Sequence, residues 1–156
     1  MPHHRPHAAI LIAIPLLLAL APVLLAERPS LKPDQLKAEA THVLVGKVMS
    51  VYTRVVSWEW QGHVTEKTFY LVELEVEEVE QGEGFAKKDL AYIRCWSRTK
   101  CPPRPTPGPS GHGPIPVAGH RVRAYVAKGE YPPTRQEDNG IAAVYPNGFE
   151  ILPDPR

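Results

Sequence analysis

Cys95 and Cys101, separated by Trp96-Ser97-Arg98-Thr99-Lys100, are the only cysteines in the chain. An even count at close spacing reads as a disulfide in an oxidising compartment. A redox motif of the thioredoxin kind needs two intervening residues instead of five, and a metal site needs further ligands. Gly108-Pro109-Ser110-Gly111-His112-Gly113 invites comparison with two catalytic loops. A nucleophile elbow needs glycine where His112 stands, and a phosphate loop needs lysine where Pro114 stands. Glu73, Glu75 and Glu77 recur every second residue, the spacing that puts carboxylates on one face of a strand. One strand supplies too few oxygens for Ca²⁺, so this row reads as a solvated face, with Lys47, Arg54, Arg94 and Arg98 available across neighbouring strands. His3, His4 and His7 form a short histidine tract that can bind metal, but they precede a leader-like segment. The residues thus point to no catalytic group, no metal and no cofactor.

That segment places the chain. Arg5 is followed by an uncharged run from Ala8 to Ala26, the charged-then-apolar order of a secretory signal. Pro15 and Pro22 interrupt it, which argues for a signal peptide over residues 1–26, cut after Ala26, in place of a spanning helix. The expected address is secreted or periplasmic, with membrane association only if the segment stays uncut. Its removal takes away Arg5 and leaves 17 basic against 17 acidic residues. A neutral chain lacks the overall basic field of a nucleic-acid binder.

The remaining length suits one domain. Residues 27–40 read as a lead-in with a short helix begun by Pro33. Residues 41–152 read as strands. His42 to Tyr52 is apolar on both faces at first, with Gly46 as the cheapest place for a bend or bulge. A long hairpin follows, turning at Gly62 and returning through Tyr70, Val72, Leu74 and Val76 in alternation with the glutamates. Leu90–Ser97 and His120–Ala127 give two more strands. Ile141–Tyr145 and Phe149–Leu152 read as a last pair around Pro146-Asn147-Gly148. Between strands three and four, 11 of the 18 residues in 102–119 are Pro or Gly, which reads as plain loop, with a polyproline docking peptide as the alternative. An all-β barrel or sandwich is the natural result.

Ala40-Thr41-His42-Val43-Leu44-Val45-Gly46-Lys47-Val48, then Tyr70–Glu80 ending at Gly82, Leu90–Arg94 and Gly119–Ala127 together resemble exported OB-fold modules. The pattern is similar to netrin-like modules and the tissue inhibitors of metalloproteinases, and to small uncharacterised exported bacterial proteins. The resemblance implies a five-stranded OB-like Greek-key barrel. It does not carry inhibition over, because that family uses an amino-terminal cysteine and Cys95 is mid-chain.

OB-folds bind ligands on an outer strand face, which draws attention to the tryptophans. Trp58 and Trp60 share one face of their strand, and Trp96 lies on the Arg94 side of its own. Tryptophan offers large area with few rotamers; it can equally pack across its own ribbon. Trp58, Trp60, Trp96, Arg94 and Arg98 are therefore the candidate binding residues of a non-enzymatic exported module for a protein or glycan. The alternatives are a structural or envelope-associated protein, and a thiol redox or metal-binding protein using Cys95 and Cys101.

Overall fold

In residues 72–76 every second side chain is aliphatic and every intervening one is Glu, so a strand can bury one face and wet the other. The computed structural model shows this: Val72, Leu74 and Val76 are buried, while Glu73, Glu75 and Glu77 stand half exposed. The structure describes residues 28–60, 62–100, 110–129 and 140–154, with only the backbone of Trp60. The expected signal peptide, Cys101 and the first part of the Pro/Gly segment lie outside these residues. No helix among the described residues is long and apolar enough to cross a membrane.

Among the described residues the chain is mostly strand, with one short helix. Helix α1, Pro33–Glu39, begins with proline, and Gln35 Oε1 accepts the Lys32 N–H at 2.9 Å. The strands are β1 (His42–Trp60), β2 (His63–Gln81), β3 (Leu90–Lys100), β4 (Arg121–Lys128), β5 (Ile141–Ala143) and β6 (Phe149–Leu152). β1 and β2 form the long hairpin expected around Gly62, paired from Val43↔Gln81 to Trp60↔His63. β1 also pairs with β4, β2 with β3, β3 in parallel with β5, and β4 with β5. Five strands therefore form a ring in the order β1-β2-β3-β5-β4 and back to β1.

Inside the ring lie Leu44, Val48, Val72, Leu74, Val76, Ala91, Ile93, Cys95, Val122, Ala124, Val126 and Phe149. Outside it, Leu36 of α1 covers Val43 and Tyr125, joined by Val144. The first stretch of β1 is thus buried on both faces, which its unbroken apolar run requires. The register slips at Val45/Gly46. A Cβ on Gly46 would sit 2.1 Å from the Glu75 carbonyl oxygen, so only glycine lets the two backbones approach there.

The expected last hairpin does not form. β5 and β6 both add to the same edge of β4, with Ala143 opposite Val126 and Phe149 opposite Ala124. Residues 144–148 then stand opposite the single residue Tyr125, which donates its N–H to Gly148 O and accepts the N–H of Val144. Pro146-Asn147-Gly148 turns the chain, as its composition demands, but the turn is an outward excursion within one interrupted strand. Asn147 uses it to clamp the lead-in, accepting from Leu31 N–H at 2.8 Å and donating to Leu31 O at 2.9 Å.

The Pro/Gly segment is also more ordered than a plain loop where it is described. Ser110 O accepts the Arg98 N–H, and the His112 N–H donates to Trp96 O. Gly111 lies against β3 so closely that a Cβ would come 2.4 Å from Ser97 Cα.

Candidate functional site

Overlapping the ring at Val72, Ile93 and Cys95, which still face its core, the sheet continues as a three-stranded arm made of residues 51–60, 63–72 and 93–100. Its outer face follows from register, because residues opposite each other in an antiparallel pair share a face. Tyr52, Leu71 and Arg94 form one row, and Arg54, Phe69 and Trp96 the next. Val56, Lys67 and Arg98 come third, then Trp58 with Thr65, and Trp60 with His63. All five candidate binding residues therefore lie on one face by register.

The face has two parts. Tyr52, Trp58 and Phe69 are exposed, at 43%, 41% and 38% of their surface. Trp96 is half-buried in a packed cluster. The Lys67 ammonium stands 3.7 Å from its ring centroid and 4.9 Å from that of Phe69, a cation–π contact. Tyr145 stacks on Trp96 with the planes 5° apart, and His112 meets both rings edge-on. The register separates Trp58 from Trp96 by two strands and four residues, roughly 16 Å at ordinary sheet spacings. One tryptophan is offered to solvent and the other is used inside the fold. Reading alone did not find Lys67, Tyr145 or His112 beside Trp96. Lys67 was reachable through the parity of β2; the other two arrive from loops with no period.

His112 is turned inward. Its Nε2 lies 3.0 Å from Ala143 O, which can only accept, so Nε2 carries the proton, while Nδ1 lies between the Trp96 backbone N at 3.3 Å and Trp96 O at 3.2 Å. Burial holds its pKa below 6.5, and Lys67 pushes the same way, against the hydrogen bonds to the Ala143 and Trp96 backbone. The ring fastens the described part of the Pro/Gly segment to β3 and β5. It also borders an open cleft of about 480 Å³ lined by Arg28, Pro29, Ser110, Gly113 and Pro146.

Cys95 is a free cysteine, 3% exposed and packed beside Ile93. The disulfide expected with Cys101 is not formed at this residue. From Cys95 to Lys100 the strand is extended, which separates those Cα atoms by about 16 Å against the roughly 7 Å that a bridge tolerates. Burial pushes the Cys95 thiol up to about 12, so it stays protonated and poorly nucleophilic.

The glutamate row is partnered differently along its length. Lys47 stands opposite Glu75 as expected, whereas Glu73 accepts from the Tyr52 hydroxyl at 2.8 Å and Glu77 binds Arg121 at 2.7 Å. Arg54 and Arg94 lie elsewhere, in the aromatic rows. No group of three metal-ligating side chains occurs among the described residues. Comparison with protein-family models, curated proteins and solved structures gave no significant match.

Proposed function

We propose that this chain is an exported, non-enzymatic binding module with an OB-like Greek-key barrel, and that it engages a protein or glycan through the outer face of its β1-β2-β3 arm. The ring order, with β3 and β5 parallel and β1 shared between β2 and β4, supports the OB-like reading. The charged-then-apolar start of the sequence supports export. The observation that carries the binding reading is the exposure of Tyr52, Trp58 and Phe69 on one face of a regular sheet. Rigid aromatic side chains already held in place lose little entropy on contact. The inward commitment of His112 and the burial of Cys95 favour binding over acid–base or thiol chemistry.

The test is capture on immobilised glycans and from extracellular or periplasmic extract. Trp58→Ala should leave the melting temperature within a few degrees of the parent and reduce capture at least tenfold, about 1.4 kcal/mol. Trp60→Ala belongs in the same experiment, and Trp96→Ala serves as the contrast that lowers stability. Undiminished capture by Trp58→Ala, or its unfolding, overturns the reading.

A further inference from the structure

The arm has an edge as well as a face. β1 is bonded on its outer side by β4 only from His42 to Lys47, and Val48 exchanges backbone hydrogen bonds with Gly119 and His120. From residue 49 to residue 60 no strand other than β2 pairs with β1 among the described residues. Natural edges of this length are blunted by charged side chains, lysine above all, by proline, by bulges or by a covering element, and this edge carries two charges, Arg54 and Glu59. Past the slip at Val48/Ser50 this one has no bulge, no proline and no lysine. It carries Val55 at 58% exposure alongside Tyr52 and Trp58.

We infer that this edge pairs with the same edge of a second copy, antiparallel, about a two-fold axis at Val56. The sequence of the edge selects that occupant and that register. A two-fold axis perpendicular to the sheet keeps faces matched, so it must fall on a residue. Placed at Arg54 or Glu59 it sets like charges against each other, and placed at Val55 or Ser57 it sets Glu59 against a valine. Placed at Val56 it sets Arg54 opposite the second copy's Trp58, twice, and Val56 opposite its own copy. Arg54 can then lie over the indole in a cation–π contact. On the other face Val55 meets Ser57, and Thr53 meets Glu59. Nine residues on each edge, 52–60, find partners without a charge conflict. The pairing joins two arms into one six-stranded sheet with the aromatic faces on the same side. It does not depend on the proposed protein or glycan partner, since mass and capture are separate measurements.

Light scattering on the full chain, purified as its producing cell leaves it, should give twice the chain mass at micromolar concentration. Val56→Lys places two ammonium groups at the axis and should halve that mass with an unchanged circular dichroism spectrum. A single-chain mass for the parent overturns the inference, and so does a folded Val56→Lys variant that remains dimeric. Where Val56→Lys fails to fold, Val56→Cys in a Cys101→Ser background decides: an intermolecular disulfide on a non-reducing gel supports the axis, and its absence under mild oxidation overturns it.

Discussion

The ring and the arm are built from the same two long strands and hold together by different means. In the ring each strand has neighbours on both edges, the inner face is filled by aliphatic side chains, and the outer face is tied by ions. Arg123 bridges Glu80 and Glu150, and Arg121 holds Glu77. In the arm, β1 has one neighbour among the described residues, and Val55 and Val64 are open to solvent on the face that lower down becomes core. The near balance of 18 basic against 17 acidic residues conceals this division. Acidic groups of β2 are answered by β4 in the ring, while Arg54, Lys67, Arg94 and Arg98 share the arm's outer rows with aromatics. A surface that folding does not need is where binding can reside.

Paired truncations test this division with the largest expected effect. Leu74 is fully buried in the ring, so Leu74→Ala should cost about 2–5 kcal/mol, the range for an aliphatic cavity. Val55→Ala removes a side chain already in water and should change stability by less than about 0.5 kcal/mol. Urea titration checks both. Comparable losses at the two sites would mean that the arm's inner face is covered, which removes the ground for treating ring and arm as different.

The excursion at 144–148 gives the next effect. Asn147 satisfies both backbone groups of Leu31, and Leu31 packs beside the Leu36, Val43, Tyr125 cluster. Asn147→Ala should cost roughly 1–2 kcal/mol through those two bonds. Hydrogen exchange should rise at Leu31 and along α1 while β2 and β3 stay protected. Uniform loss of protection would mean that the lead-in and the ring open as one unit.

How much of this was readable follows from the range of each signal. The hairpin, its turn at Gly62, the buried row Val72-Leu74-Val76 and the slip at Gly46 rest on period two and on glycine, both local. Pro146-Asn147-Gly148 was a turn on the same grounds, but turn chemistry does not say which edge receives the next strand, and the edge of β4 was already there. Cys95 shares its parity with Ile93, which pointed inward; the redox-compartment rule pointed to a bridge, and the extended strand prevailed. Of the site, Trp58 and Trp96 could be placed on one face by parity. That one is exposed and the other packed depends on Tyr145 and His112, which reach Trp96 from segments about 50 and 16 residues away.

The smallest effect lies at the junction of the two regions and depends on pH. His112 is neutral in the folded chain, with its pKa held below 6.5 chiefly by burial and further by Lys67, whose ammonium sits over the neighbouring Trp96 ring. Tyr145 packs edge-on to the imidazole, and among the described residues its nitrogens meet backbone atoms of Ala143 and Trp96. The unfolded chain therefore binds this proton at a higher pH than the folded chain does. Stability from this group is complete above 6.5 and declines as the pH falls from there towards the folded pKa. Protonation puts a second N–H on the ring, at Nδ1, where Trp96 O lies 3.2 Å away and can accept it, so the cost falls on the buried charge beside Lys67 that the anchor between residues 110–113 and β3 must then carry. His112→Gln keeps a donor and an acceptor without the titration, so its melting temperature should fall less than the parent's between pH 7 and 5. Near-ultraviolet circular dichroism of the Trp96–Tyr145 stack should follow the same difference. Parallel curves for the two proteins would show that carboxylates alone set the acid limb and that His112 is no hinge between ring and arm.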